Sequence, residues 1–228
     1  MKEKLNAIRK PNQYCKKSSV LLMFVIIVLF GFTMGVISKY SDTISSNNGI
    51  YGVVIHCISE VTTQMGIWVF LASIIAMYSS KPKFAMINSL GFFLAMLFAY
   101  YLYSIFICGF YSARVILYWT VFALASTICA CIVWYGKGNG WVSDIFASLP
   151  IAVLFQSGYR FYYTLSAVHV LDMIFALVLL ILFSIGNKKE KGIRVLILAI
   201  VLSLIVRRFS ILSILLALLD KVLQFIYM

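Results

Sequence analysis

SSVLLMFVIIVLFGFTMGVIS, residues 18–38, contains no charged residue. At 1.5 Å per residue, a helix of this length is about 30 Å long, the thickness of a bilayer's hydrocarbon core. Inside hydrocarbon every backbone N–H and C=O must be satisfied within the structure, which leaves only helices and closed barrels. Comparable runs recur at 61–79, 84–107, 115–135, 142–158 and 165–185. None alternates with the period of two that a barrel strand requires. The fold class is therefore all-α, a polytopic transmembrane helix bundle with six firm spans and a possible seventh segment at 195–219. Composition agrees: 63% of the 228 residues are hydrophobic and 11% are charged, against about 25% charged in an average soluble domain.

The first run exceeds the apolar core of a cleavable signal peptide, so it reads as an anchor. Ahead of it, residues 1–17 form a basic arm carrying Lys2, Lys4, Arg9, Lys10, Lys16 and Lys17. The arm is expected to stay cytoplasmic and lie on anionic lipid. Residues 18–228 then form a single bundle domain. GIYGVVIHCIS, 49–59, is apolar but too short to cross, and is expected to be interfacial or re-entrant, with Glu60 closing it. Pro82 breaks the chain after the second span. In the fifth, Asp144 lies near one end and Pro150 in the middle, which predicts a kink or a break, with Arg160 capping the span.

The C-terminal segment is finely balanced. Its eighteen Leu, Ile, Val and Phe residues favour insertion by roughly 5–11 kcal/mol, while Arg207 and Arg208 oppose it by about 5–7 kcal/mol. A half-inserted helix, an interfacial helix and a full span with paired arginines all remain open. The net charge of +12 is explained by basic residues flanking the spans, so no nucleic-acid partner is implied. With six spans and the N-terminus inside, sixteen basic residues fall inside and three, Lys39, Arg114 and Arg160, outside. A seventh crossing gives thirteen and six. The first split obeys the positive-inside rule better and places Met228 in the cytoplasm.

TLSAVHVLDMIF, 164–175, puts His169 and Asp172 inside the sixth span. Fourteen Leu, Ile, Val and Phe residues across 165–185 favour insertion by roughly 4–8 kcal/mol, and one Asp opposes it by about 3 kcal/mol. The helix inserts, and the acid must face the bundle interior or a water-filled cavity. His169 and Asp172 share a helical face with Ser166. That trio matches a hydrolytic triad only in composition, because a triad needs one hydrogen-bonded geometry. The plainer reading is a buried structural pair, reaching Arg207 or Arg160. The functional one is a polar lining for a solute, ion or proton path.

Lys39, Asp42 and Glu60 fall at the outer ends of the first two spans. They read as interfacial end groups first and ligands second. Gln64, Asn88 and Gln156 suit interhelical hydrogen bonds. AYYLYSIF (99–106) and GYRFYY (158–163) suit interfacial aromatic belts rather than cages for a cationic ligand. Cys129 and Cys131 point to different faces of a helix, against a metal site. KGNG, 137–140, lacks the spacing of a phosphate loop, and no intramembrane protease or zinc-protease motif is present. No cofactor is implied. Segments between spans are too short for a catalytic or ATPase domain, so energy must come from an ion gradient or a partner. The expected functions are a small-solute permease or a membrane-embedded substrate-binding subunit of a transporter, whose partners are the lipid bilayer and another membrane protein or ATPase module. The alternative is a non-transporting subunit or regulator, with an intramembrane enzyme third. The candidate binding residues are Asp172, His169, Arg160, Lys39, Asp42 and Glu60.

Three stretches carry a likeness: GFTMGVISKYSD (31–42), GIWVFLASIIAMYSSKPKFAMINSLGFFLAMLFAYYLYS (66–104) and WYGKGNGW (134–141). Together they resemble a family of uncharacterised multipass membrane proteins of low-GC Gram-positive bacteria, over roughly residues 19–159. The resemblance implies a bacterial plasma membrane. It carries over no catalytic residue, and it does not reach Asp172.

Overall fold

The computed structural model describes residues 7–11, 17–43, 49–164, 166–185 and 189–208. The helices are α1 (Lys17–Thr43), α2 (Ile50–Thr63), α3 (Met65–Tyr78), α4 (Pro82–Phe106), α5 (Ala113–Gly136), α6 (Trp141–Gly158), a 3-10 turn (Tyr159–Tyr162), α7 (Ala167–Ser184) and α8 (Lys189–Arg208). Among the described residues, α1, α4, α5, α6 and α7 are each long and apolar enough to cross a membrane. The pair α2 and α3, bent by 67° at their junction, makes a sixth candidate. The chain is a multipass α-helical membrane protein.

α1 outruns its apolar stretch because its polar tail bonds to the helix itself. Ser41 Oγ donates to the Ser38 carbonyl, and Thr43 Oγ1 to those of Lys39 and Tyr40. Such back-bonding lets Ser and Thr stay helical without water. α4 opens with Pro82 in its first turn, where a missing N–H costs nothing, behind an extended Lys81. Gly140 precedes α6 with φ +90°, a conformation that favours glycine. α6 is not broken at Pro150; the helix runs through it. It is a central helix, 56% buried over its crossing window against 17% for α1, and α3, α5, α7 and α8 all pack against it.

α1 lies along α4, with Gly31 and Gly35 in contact with its backbone. A Cβ on either glycine would strike the carbonyl oxygen of Phe92 or Met96. Glycines four apart allow this approach, which is how helices associate in lipid without a hydrophobic drive. Two apolar cores result. One joins Trp68, Phe92, Phe93 and Met96. The other joins Met77, Trp134, Ile151, Leu154, Leu179, Phe183 and Val195. α3 contributes to both.

The arm expected to lie on lipid is instead docked, as far as it is described. Asn139 N–H donates to the Ile8 carbonyl, and Arg9 donates to the carbonyls of Trp134 (2.6 Å) and Met77 (3.1 Å) while stacking over the Trp134 ring. Two helices, α3 and α5, thereby lend carbonyls near their C-terminal ends, and the loop after α5 lends an N–H, to residues 7–11. Burial lowers the Arg9 guanidinium to about 10. This end is termed proximal. At the opposite, distal end, α8 finishes with Arg207 4.2 Å from the Tyr159 ring centroid. α8 therefore runs the height of α6, with Arg194 beside Asp144 at one end and Arg207 beside Tyr159 at the other. The sixteen-to-three tally counts Arg207 on the same side as Arg194; the structure puts the two at opposite ends of α8, as the full-span alternative does. Residues 209–219 of the expected seventh segment lie outside the described residues.

Candidate functional site

The junction of α2 and α3 organises the distal half. Gln64, extended at φ −83° and ψ 153°, is both the last cap of α2 and the first of α3. A break strands carbonyls on one side and N–H groups on the other, a costly state away from water. Trp68 Nε1 takes one carbonyl, donating to Thr62 at 2.8 Å. On the other side, the Asp172 carboxylate of α7 lies against Gly66 in the first turn of α3, where any Cβ would collide with it. That turn is the positive end of the α3 dipole, the place for an anion. Ser157 Oγ of α6 donates to the second carboxylate oxygen. Asp172 is 1% exposed. It does face the interior, but its partners are Ser157 and a helix end. Arg160 is exposed and Arg207 is engaged with Tyr159, so neither pairs with it as expected.

A cavity of about 310 Å³ opens beside the break, lined by His56, Ser59, Glu60, Gln64, Ser166 and His169 among others. His169 Nδ1 is buried and has no hydrogen-bond partner among the described residues. Buried polar atoms in native proteins are nearly always paired, so an orphan in a residue that lines a cavity is exceptional. Glu60 lies within α2 rather than closing it, 3.8 Å from His56 one turn earlier. Ser166 is the cap of α7, accepting from Val168 N–H at 3.4 Å. Its hydroxyl serves the helix start.

A second cavity of about 300 Å³ lies on the other face of α2, between Asp42, Trp68, Tyr100 and Trp119. Asp42 accepts from Ser59 Oγ at 2.9 Å, tying α1 to α2. Lys39 lines neither cavity. Its ammonium sits 4.9 Å from the Tyr100 centroid and 5.8 Å from that of Phe110. Of the six sequence candidates, the structure gathers Asp172, His169, Glu60 and Asp42 around the break and leaves Arg160 and Lys39 outside it.

Sequence reasoning missed Gly66 and Ser157, although a glycine beside an amide within an apolar run signals a break. It also missed a second buried acid. Asp144, fully buried at the proximal end, accepts from Arg194 Nε at 2.7 Å. Beside it, the Lys191 ammonium donates to the carbonyls of Gly136 and Gly138 and to Ser143 Oγ. These contacts join α5, α6 and α8, whereas at the distal break His56, Ser59, Glu60 and Gln64 line open space. Comparison with known protein families, curated proteins and solved structures returns no match for this chain.

Proposed function

We propose that this chain is a small-solute permease, or the membrane-embedded substrate-binding subunit of a transporter, and that it holds a small polar solute at the break between α2 and α3. One observation carries the reading: a buried intramembrane acid set against the start of a half-helix, beside a polar cavity with an unpaired His169 nitrogen. Discontinuous helices at mid-bundle sites are a recurrent device of transporters, because they bring helix ends and polar groups to a solute inside the membrane. The resemblance to Gram-positive membrane proteins and the positive-inside rule add a bacterial plasma membrane with the proximal end cytoplasmic. Among the described residues that end carries Arg9, Lys10, Lys81, Lys83, Lys137, Lys191 and Arg194 against Asp144 and Glu190.

A second reading, a non-transporting subunit that acts through a partner protein, is favoured by the packing below the break. Met77, Trp134, Ile151 and Phe183 fill the bundle there and are at most 1% exposed. A permease has to move these side chains apart, whereas a receptor subunit leaves them in place. Purification from the native membrane in mild detergent, followed by mass spectrometry and liposome uptake, separates the two. A stoichiometric partner with no uptake by the isolated chain supports the subunit. Uptake by the isolated chain, lost in Asp172→Asn, supports the permease.

A further inference from the structure

The proximal end carries a furrow between α1 and α4 that is basic at its mouth and apolar along its wall. Its inner compartment, about 330 Å³, is bordered by Arg9, Lys10, Ser19 and Ser80. The adjoining compartment, about 470 Å³, runs along Leu21, Phe24 and Ile87 with Lys81 at its edge. Val20, Phe84 and Asn88 line both, so the two form one groove. Arg9 is already committed to two carbonyls and a ring, and Asn88 donates to Ser79. The charges left to serve a ligand are Lys10, which is exposed, and Lys81, which is half-buried with its ammonium 6.0 Å from the Phe84 ring centroid. Among the described residues no acidic side chain borders either compartment.

We propose that this furrow holds one anionic phospholipid of the surrounding leaflet, its phosphate at Lys10 and Lys81 and an acyl chain along Phe24, Phe84 and Ile87. A soluble anion satisfies the lysines and leaves the apolar wall idle. A zwitterionic lipid covers the wall and leaves the lysines without net countercharge. Only a lipid with a net negative head uses both halves, and basic pockets between membrane helices select such heads. A bound lipid here would bridge α1, α4 and the docked 7–11 segment. That gives the arm's docking a chemical consequence, because Lys10 follows directly on the anchored Arg9.

The test is native mass spectrometry of the full chain in detergent, titrated with phosphatidylglycerol or with phosphatidylcholine of the same acyl chains. The expected result is selective retention of phosphatidylglycerol. Retention should fall roughly tenfold or more in the double variant Lys10→Ala/Lys81→Ala, fall also in Ile87→Trp, which fills the apolar wall, and stay unchanged in Arg114→Ala at the distal end. All four positions are exposed or half-exposed, so the variants keep the fold. Equal retention of the two lipids, or no loss in the double variant, overturns the proposal. Displacement of the lipid by an equal concentration of glycerol phosphate overturns it too, since the apolar wall would then contribute nothing.

Discussion

At Gly66 the protein has no room for a methyl group, because the carboxylate of Asp172 occupies it. Gly66→Ala is therefore expected to destabilise the bundle by about 1–3 kcal/mol, the usual range for overpacking. Most of that loss should disappear when Asp172 is also changed to Ala, a coupling that a double-mutant cycle of thermal or denaturant stability measures. The pair at the other end behaves differently. Arg194→Ala leaves Asp144 buried without its ion partner and is expected to cost about 3–5 kcal/mol, while Arg194→Ala/Asp144→Asn recovers much of it. Finding the single and double variants equally unstable would contradict a charge-pairing role. Asp172 was legible as an inward-facing acid, because insertion energetics alone forbid it to face lipid. Its partners were not. Ser157 is one of many serines in apolar helices, and the α3 helix end exists only because the chain breaks at Gln64. Asp144 reads only as lying near one end of the fifth span, since nothing local indicates an arginine fifty positions later.

Among the elements, apolar length fixed the spans closely: 84–107, 115–135, 142–158 and 165–185 are expected, and α4, α5, α6 and α7 answer to them within two residues at each end. The second span was misjudged. Residues 61–79 read as one uninterrupted run, but the helices are 50–63 and 65–78. The break carries no proline, and the polar residues beside it, Thr62, Thr63 and Gln64, read as the start of the second span. Of the kink or break expected at Pro150, the break does not occur, since α6 continues through it. The close approach of α1 to α4 yields an expected outcome at this scale. Gly31→Leu or Gly35→Leu should push α1 off α4 and lower the midpoint of thermal unfolding sharply. Phe32→Leu, on an exposed position between them, should leave it nearly unchanged. Equal effects from all three would argue that the glycines do not set the contact.

For the whole molecule, the two ends differ in kind. At the proximal end Arg9, Lys191 and the Asp144–Arg194 pair tie the helices together. The Lys137 ammonium, beside the Tyr78 ring, is held below the ordinary lysine value by burial and then by the Arg9 charge. The distal end is open around the break. If the proximal end is cytoplasmic, a cysteine replacing exposed Asn139 in a cysteine-free chain reacts with an impermeant maleimide only after the membrane is opened. Reaction in intact cells contradicts that orientation. Composition and charge spacing were enough to foresee a bundle with one strongly basic end. They could not show that a polar cavity sits beside the α2–α3 break, because that depends on packing between residues far apart in the chain. The most direct measurement is a thermal-stability screen of the purified protein against small polar solutes, run in parallel on wild type and Asp172→Asn. A solute site at the break predicts that at least one solute raises the midpoint of the wild type but not of Asp172→Asn, whose own midpoint without solute stays close to the wild type. An Asp172→Asn protein that is markedly unstable, together with no solute that stabilises the wild type, would make Asp172 a structural cap for α3 and contradict the proposed site.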